Sequence, residues 1–154
     1  MQNRNSKLIF SALGLFFPGT GLNCFYLLGM RSLWGVAHLI ALIGGLAGWW
    51  LLHYYAMSSA AGWVLLLLGF ISLEASWLTT IVFGLRKDEL WDAQFNPHIQ
   101  LNSQSELATK SGWLTVLCVI FSLIIGAGVM MTFFAITFEQ FFISQLEAAK
   151  QLSQ

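Results

Sequence analysis

Charge is what this chain most lacks. Asp, Glu, Lys and Arg make up 9% of its 154 residues, against 57% hydrophobic. A soluble domain carries about 25% charged residues, so most of this chain needs a solvent other than water. Basic and acidic residues are equal in number and the formal net charge is zero, which gives no reason to expect a nucleic-acid partner. Only two cysteines occur, Cys24 and Cys118, each among apolar neighbours and outside any CxxC or Cys/His cluster. They read as small buried apolar groups rather than as a disulfide or metal site. Ser-His-Asp patterns, phosphate loops and zinc motifs are missing as well. An enzyme is not expected, because a hydrolase or transferase gathers more polar groups near the interface than this chain supplies. No cofactor is expected either. His38 and His53 lie about 22 Å apart along one helix and cannot share a metal. The methionines that would have to complete two haem sites, Met30, Met57, Met130 and Met131, have no supporting spacing.

Long apolar runs, by contrast, are plentiful. Leu33–His53, Ala61–Leu85 and Gly112–Phe138 are each long enough to cross a hydrocarbon core of about 30 Å. A fourth stretch, Leu8–Leu28, is broken by Pro18-Gly19-Thr20-Gly21. Proline removes a backbone donor and glycine loosens the chain, so a straight helix through this point is not expected. Backbone groups freed at that depth need protein or water around them. The positive charges then choose a topology. If Leu8–Leu28 crosses, Lys and Arg divide almost evenly between the two sides. If it enters and returns, Arg4, Lys7, Arg31, Arg86, Lys87 and Lys110 share one side and Lys150 alone takes the other, the asymmetry that the positive-inside rule describes. The expected fold class is therefore all-α, a polytopic helical membrane protein with three full transmembrane helices plus a broken or re-entrant N-terminal hairpin. The N-terminus and the polar loop Arg86–Ser111 are expected on the cytoplasmic side of a bacterial inner membrane.

Aromatic placement agrees. Trp49, Trp50, Tyr54, Tyr55 and Trp63 bracket the connection between the first two full spans, and Trp91 and Trp113 flank the polar loop. Such amphipathic rings suit the headgroup level. A lipoprotein leader ending at Cys24 would need small residues before it, where the chain has Leu22-Asn23, so cleavage is not expected.

The stretch Pro18-Gly19-Thr20-Gly21-Leu22-Asn23-Cys24-Phe25-Tyr26-Leu27-Leu28-Gly29, followed by Trp34-Gly35-Val36-Ala37-His38-Leu39, resembles a TM2 domain. That family carries a Gly-rich turn, a G-x-H-R-F-Y-L-G motif and a glycine-bearing helix. Gly21, Phe25, Tyr26, Leu27 and Gly29 fall on the motif. Asn23 and Cys24 replace its usual His/Asp and Arg, and an extra leucine precedes Gly29. The segment Phe70–Leu78 is similar to the acid-bearing second helix of the family, with Glu74 at the acidic position, and Asp88–Pro97 resembles the cytoplasmic tail of some bacterial members. The resemblance covers roughly residues 7–97. It implies an architecture and a bacterial membrane location more than a mechanism.

On this reading residues 1–97 form a TM2-like membrane region with the start of the cytoplasmic loop, residues 98–111 the rest of that loop, residues 112–138 the last transmembrane helix and residues 139–154 an amphipathic helical tail that either extends that span or lies at the interface. Two intramembrane polar residues are candidates for a site. Glu74 is the lone acid within a membrane-length segment, and a carboxylate at the bilayer centre costs about 2.5–3.5 kcal/mol on insertion scales. It is either a titrating group inside the bundle or a neutral carboxyl that fixes packing. His38 is expected to hydrogen-bond within the bundle, to the broken hairpin or to Glu74. Gly44 and Gly48 form a G-x-x-x-G step suited to close helix contact, within the monomer or with a partner, and Gly126 and Gly128 mark the last span. Trp91 and Phe95 in the loop, and Phe141 and Phe142 in the tail, are candidate partner-binding residues. The expected function is non-catalytic: an accessory or assembly subunit binding another membrane protein, or itself as a homo-oligomer, within the lipid bilayer. The alternative is a small transporter or channel component with Glu74 as its titrating group.

Overall fold

The computed structural model describes residues 4–55, 57–97 and 109–152. These fold into α1 (Lys7–Phe16), α2 (Leu22–Leu28), α3 (Leu33–Tyr54), α4 (Ala60–Gly84), α5 (Asp88–Phe95) and α6 (Trp113–Leu152). Three of them, α3, α4 and α6, are long and apolar enough to cross a membrane. The fold class is the expected one. The rest of the loop, residues 98–108, with His98 and Glu106, lies outside the described residues.

Local chemistry sets the helix starts. Ser32 Oγ accepts a hydrogen bond from Gly35 N at 3.2 Å, and Ser59 Oγ accepts from Gly62 N at 3.1 Å. Each hydroxyl satisfies one of the free amides that a helix start leaves behind. α3 and α4 then pack as an antiparallel hairpin whose axes meet at glycines. A methyl on Gly45 would stand 2.8 Å from Gly69 Cα, and one on Gly48 would press into the α4 backbone. Small residues allow this approach, which is how helices associate when no water drives them together.

The N-terminal segment enters and returns. α1 lies antiparallel to α4: Lys7 donates to the Arg86 carbonyl, and Trp77 Nε1–H donates to the Leu15 carbonyl at 3.4 Å. The chain turns at Phe17–Gly21, where Thr20 Oγ1–H donates to the Phe17 carbonyl at 2.7 Å. Gly21 has φ +72°, and any side chain there would collide with the backbone of Gly35. α2 then runs back, and the Tyr26 hydroxyl accepts from Ser6 N at 2.7 Å beside the start of α1. The tip reaches Leu73 and Leu42, about 16 Å of helical rise from the end of α4. The hairpin therefore fills roughly half the depth of the bundle. Its two ends, the start of α3 and the end of α4 lie together at one end of the molecule, here termed the basic end.

Small polar residues are buried between the helices, beside Phe10, Leu52, Trp77 and Trp91, while large aliphatic side chains cover much of the outside. Ser11, Asn23, Ser72, Ser76, Thr80, Thr115 and Ser122 are buried, whereas Ile40, Ile43, Leu68, Ile71, Leu78, Val82, Leu123 and Ile124 are exposed. That inversion suits a bundle surrounded by lipid, where apolar surface faces outward at no cost and interhelical contact rests on close packing and hydrogen bonds.

Of the two placements open to the amphipathic tail, the structure shows the extension: from residue 139 the segment continues the last span, and α6 is one helix of 40 residues. No proline or glycine interrupts it after Gly128, so nothing local ends the helix where the apolar run ends.

Candidate functional site

Three arrangements hold the polar and open features of the bundle. The first lies at the basic end. Lys7 is 3% exposed and its ammonium reaches Asp88 at 2.8 Å, Ser111 Oγ at 2.9 Å and the Arg86 carbonyl. Asp88 also accepts from Ser111 N at 2.7 Å and from the Ser111 hydroxyl. One turn on in α5, Asp92 accepts from Thr109 N and Thr109 Oγ1, both at 2.6 Å, and from Asn96 Nδ2 at 2.8 Å. Asn5 and Asn96 bond reciprocally, with Asn5 N donating to Asn96 Oδ1 at 2.8 Å and Asn96 Nδ2 donating to the Asn5 carbonyl at 3.1 Å. The result is a clasp that ties the N-terminus, α5 and the start of α6 together. Burial disfavours ionisation of Asp88, but the bonds from Lys7 and Ser111 outweigh it and hold the carboxyl below its usual range. Asp92 is lowered in the same way, with Thr109, Asn96 and Arg4 outweighing its burial.

Trp91 stands at the centre of this end. It is 0% exposed, its ring lies 5.6 Å from Phe10 and 4.6 Å from Phe95, and its Nε1–H donates to the Asn5 carbonyl at 3.0 Å. The expectation that Trp91 offers a partner-binding surface is corrected: the ring is the core under the clasp. Phe95 is half-buried in the same cluster, 5.9 Å from Phe83. Asn5, Lys7, Asp88, Asp92 and Asn96 were not singled out from the sequence. Their partners lie roughly 80 to 105 residues away in most cases, a separation that periodicity does not register.

The second arrangement is the intramembrane polar pair, which the structure separates. His38 Nδ1 lies 2.8 Å from Ser72 Oγ, and that hydroxyl donates to the His38 carbonyl at 3.3 Å. The imidazole tautomer decides which of Nδ1 and Ser72 Oγ donates in this contact. His38 thus bonds to α4, not to the hairpin or to Glu74. Glu74 lies on another face of α4, against α6, where a methyl on Gly126 would be 3.3 Å from its Oε2 and 3.4 Å from the Trp77 ring. Gly126 makes the room the carboxyl occupies. Glu74 Oε1 is buried with no hydrogen-bond partner among the described residues, as are the hydroxyls of Ser11, Ser76 and Ser122. Among the described residues no group of three His, Cys, Asp or Glu could hold a metal ion.

The third arrangement is a groove. α6 packs on α1 and α4, and beyond the hairpin tip it leaves a cavity of about 570 Å³ between itself, α3 and α4. Leu42 and Leu73, which meet the hairpin tip, also line this cavity, so it begins where the hairpin ends. Its α6 wall is Ile125, Gly128, Val129, Thr132, Phe133 and Ile136. Toward the far end a second cavity of about 570 Å³ continues along α6, past Gln140, Ile143, Ser144 and Glu147, against Met57, Ser58 and Trp63 of the α3–α4 connection. Residues 125, 129, 132, 136, 140, 143 and 147 recur at helical spacing, so one face of α6 is left open over about six turns.

The remaining candidates fall on either side of these features. Gly48 is buried against α4, so its small size serves the monomer, while Gly44 sits at the edge of the contact, with Leu65 at an ordinary 3.7 Å from a would-be methyl. The close glycine contact is made by Gly45 with Gly69, a step the G-x-x-x-G spacing did not pick out. Phe141 and Phe142 are exposed on the far part of α6. Comparison with protein-family models, with characterised proteins and with solved structures finds no match for this chain.

Proposed function

We propose that this protein is a non-catalytic accessory or assembly subunit that receives a transmembrane helix of another membrane protein, in a bacterial inner membrane with the basic end cytoplasmic. The observation that carries the reading is the open face of α6. Its groove is apolar over the depth of the bundle and becomes polar at Gln140, Ser144 and Glu147. A lipid chain would use only the apolar part. A helix leaving the bilayer for water matches both, and the open Gly128, with nothing within 4 Å of a would-be methyl, allows close approach. The proposal includes a TM2-like identity for residues 7–97, supported by the Gly-rich turn and the returning α2, and a cytoplasmic N-terminus, supported by the collection of basic residues at one end.

The test is site-specific photocrosslinking in cells at native expression. A crosslinker at Val129 or Thr132, inside the groove, should capture one defined membrane protein. A crosslinker at Leu123 or Ile124, exposed on α6 outside the groove, should capture lipid or nothing. Equal capture from both sets, or none from the groove, would exclude the docking role.

A second reading rests on Glu74, whose buried Oε1 lacks a partner. A transporter or channel component would use that carboxyl as its titrating group. Purified protein in liposomes should then show pH-dependent flux that Glu74→Gln abolishes. Flux unchanged by the substitution removes this reading.

A further inference from the structure

One cavity at the basic end combines cations with exposed apolar side chains. About 260 Å³ in volume, it opens between residues 4–8 and the start of α6. Arg4, Lys7 and Lys110 line it from outside the first turn of each helix or at its edge, and Leu8 and Leu114 line it from within those turns. The leucines are 36% and 47% exposed, and Trp113, also in the lining, is 71% exposed. Two of the cations are partly committed. Lys7 is paired with Asp88, and Arg4 donates to Thr109 Oγ1 at 3.2 Å with Asp92 behind that hydroxyl. Lys110 is exposed and makes no hydrogen bond or ion pair with any described residue. Among the described residues Lys110 has no counter-charge, so the cavity offers at least this cation to a ligand. No Lys or Arg among the described residues lines the grooves along α6.

We infer that this cavity holds the phosphate group of an anionic phospholipid, with Lys110 as the main contact and the acyl chains lying over Leu8 and Leu114. A basic recess between membrane helices at the headgroup level attracts anionic lipid. An indole at the rim, apolar on its face and polar at its N–H, occupies the same level. A free phosphate ion would use the cations and leave Leu8, Leu114 and Trp113 without a role, and for this reason a lipid is the occupant.

The experiment uses the full chain, purified in neutral detergent and titrated with short-chain phosphatidylglycerol, short-chain phosphatidylcholine or inorganic phosphate. Thermal unfolding and native mass spectrometry report binding. Phosphatidylglycerol should raise the midpoint and remain bound in the spectrum, while phosphatidylcholine and inorganic phosphate at equal concentration should do neither. Lys110→Gln should weaken the phosphatidylglycerol response about fivefold, the effect of one lysine near a charged surface, and Lys110→Glu should weaken it further. Lys87→Gln, at an exposed cation on the same end outside the cavity, should leave it unchanged. Equal protection by phosphatidylcholine, or equal behaviour of the Lys110→Gln and Lys87→Gln proteins, would overturn the site. Protection by inorganic phosphate matching that of the lipid would overturn the lipid assignment.

Discussion

Asp92 accepts three hydrogen bonds within 2.8 Å from two separate segments, while Glu74, the acid most visible in the sequence, has an oxygen with none. The difference decides which carboxyl holds the fold. Truncating Asp92 strands the Thr109 amide and hydroxyl and one Asn96 donor in a buried site, and each stranded donor costs about 1–3 kcal/mol. Asp92→Ala should therefore lower the unfolding midpoint in detergent clearly, while Glu74→Gln, which leaves the packing against Gly126 in place, should change it little. The pH response follows from the same bonds. Asp88 and Asp92 have lower pKa values folded than unfolded, so their ionised forms favour the folded clasp. Their contribution is complete above about pH 4, the unfolded carboxyl value, and is lost as pH falls through the folded values. An unfolding midpoint measured from pH 7 downward should stay level in this respect to about pH 4 and then fall, and Asp92→Asn should flatten part of that fall. The intramembrane acid was legible because a lone charge in an apolar run is conspicuous. The clasp was not, because Asp88 and Asp92 look like ordinary loop acids until the chain brings Lys7 and Thr109 to them.

Helix contacts carry the next level of the account. α3 and α4 meet where Gly45 and Gly69 allow their backbones together, with Gly44 at the edge of that contact. Gly45→Leu should separate the helices, with an overpacking cost of about 1–3 kcal/mol, and Gly44→Ala should be nearly neutral. Unfolding midpoints of the two proteins in one detergent check the contrast, and equal effects would place the glycine contact elsewhere. Element boundaries were readable wherever a local signal existed. Pro18 to Gly21 marked the hairpin turn, and the apolar runs set α3 and α4 to within a residue or two. The end of the last span carried no such signal. A change from apolar to amphipathic composition after Phe138 left open whether the tail extends the span or lies at the interface, and because nothing in Glu139–Leu152 stops a helix, α6 extends it. Trp91 was misplaced for a related reason: an indole near a polar loop looks like an interfacial anchor, and only the folding of α5 beneath the bundle buries it.

For the whole molecule, the re-entrant hairpin organises everything else. By filling only about half the bundle depth it closes the α3–α6 gap at the basic end and leaves it open beyond Leu42 and Leu73. The open groove along α6 is thus a consequence of the hairpin turning back. The distribution of basic residues made that topology readable before any coordinates, whereas the groove itself was not, since it depends on which helices fail to touch. The most direct measurement is cysteine accessibility in intact cells, with Cys24 and Cys118 replaced by serine. Single cysteines at Arg4, Arg31 and Ser58, the first two on either side of the hairpin and exposed, are treated with a membrane-impermeant thiol reagent. The account predicts that Arg4→Cys and Arg31→Cys behave alike, both shielded from outside, and that Ser58→Cys is labelled. Labelling of only one of Arg4→Cys and Arg31→Cys would mean that the N-terminal segment crosses, and would contradict the hairpin and the groove built on it.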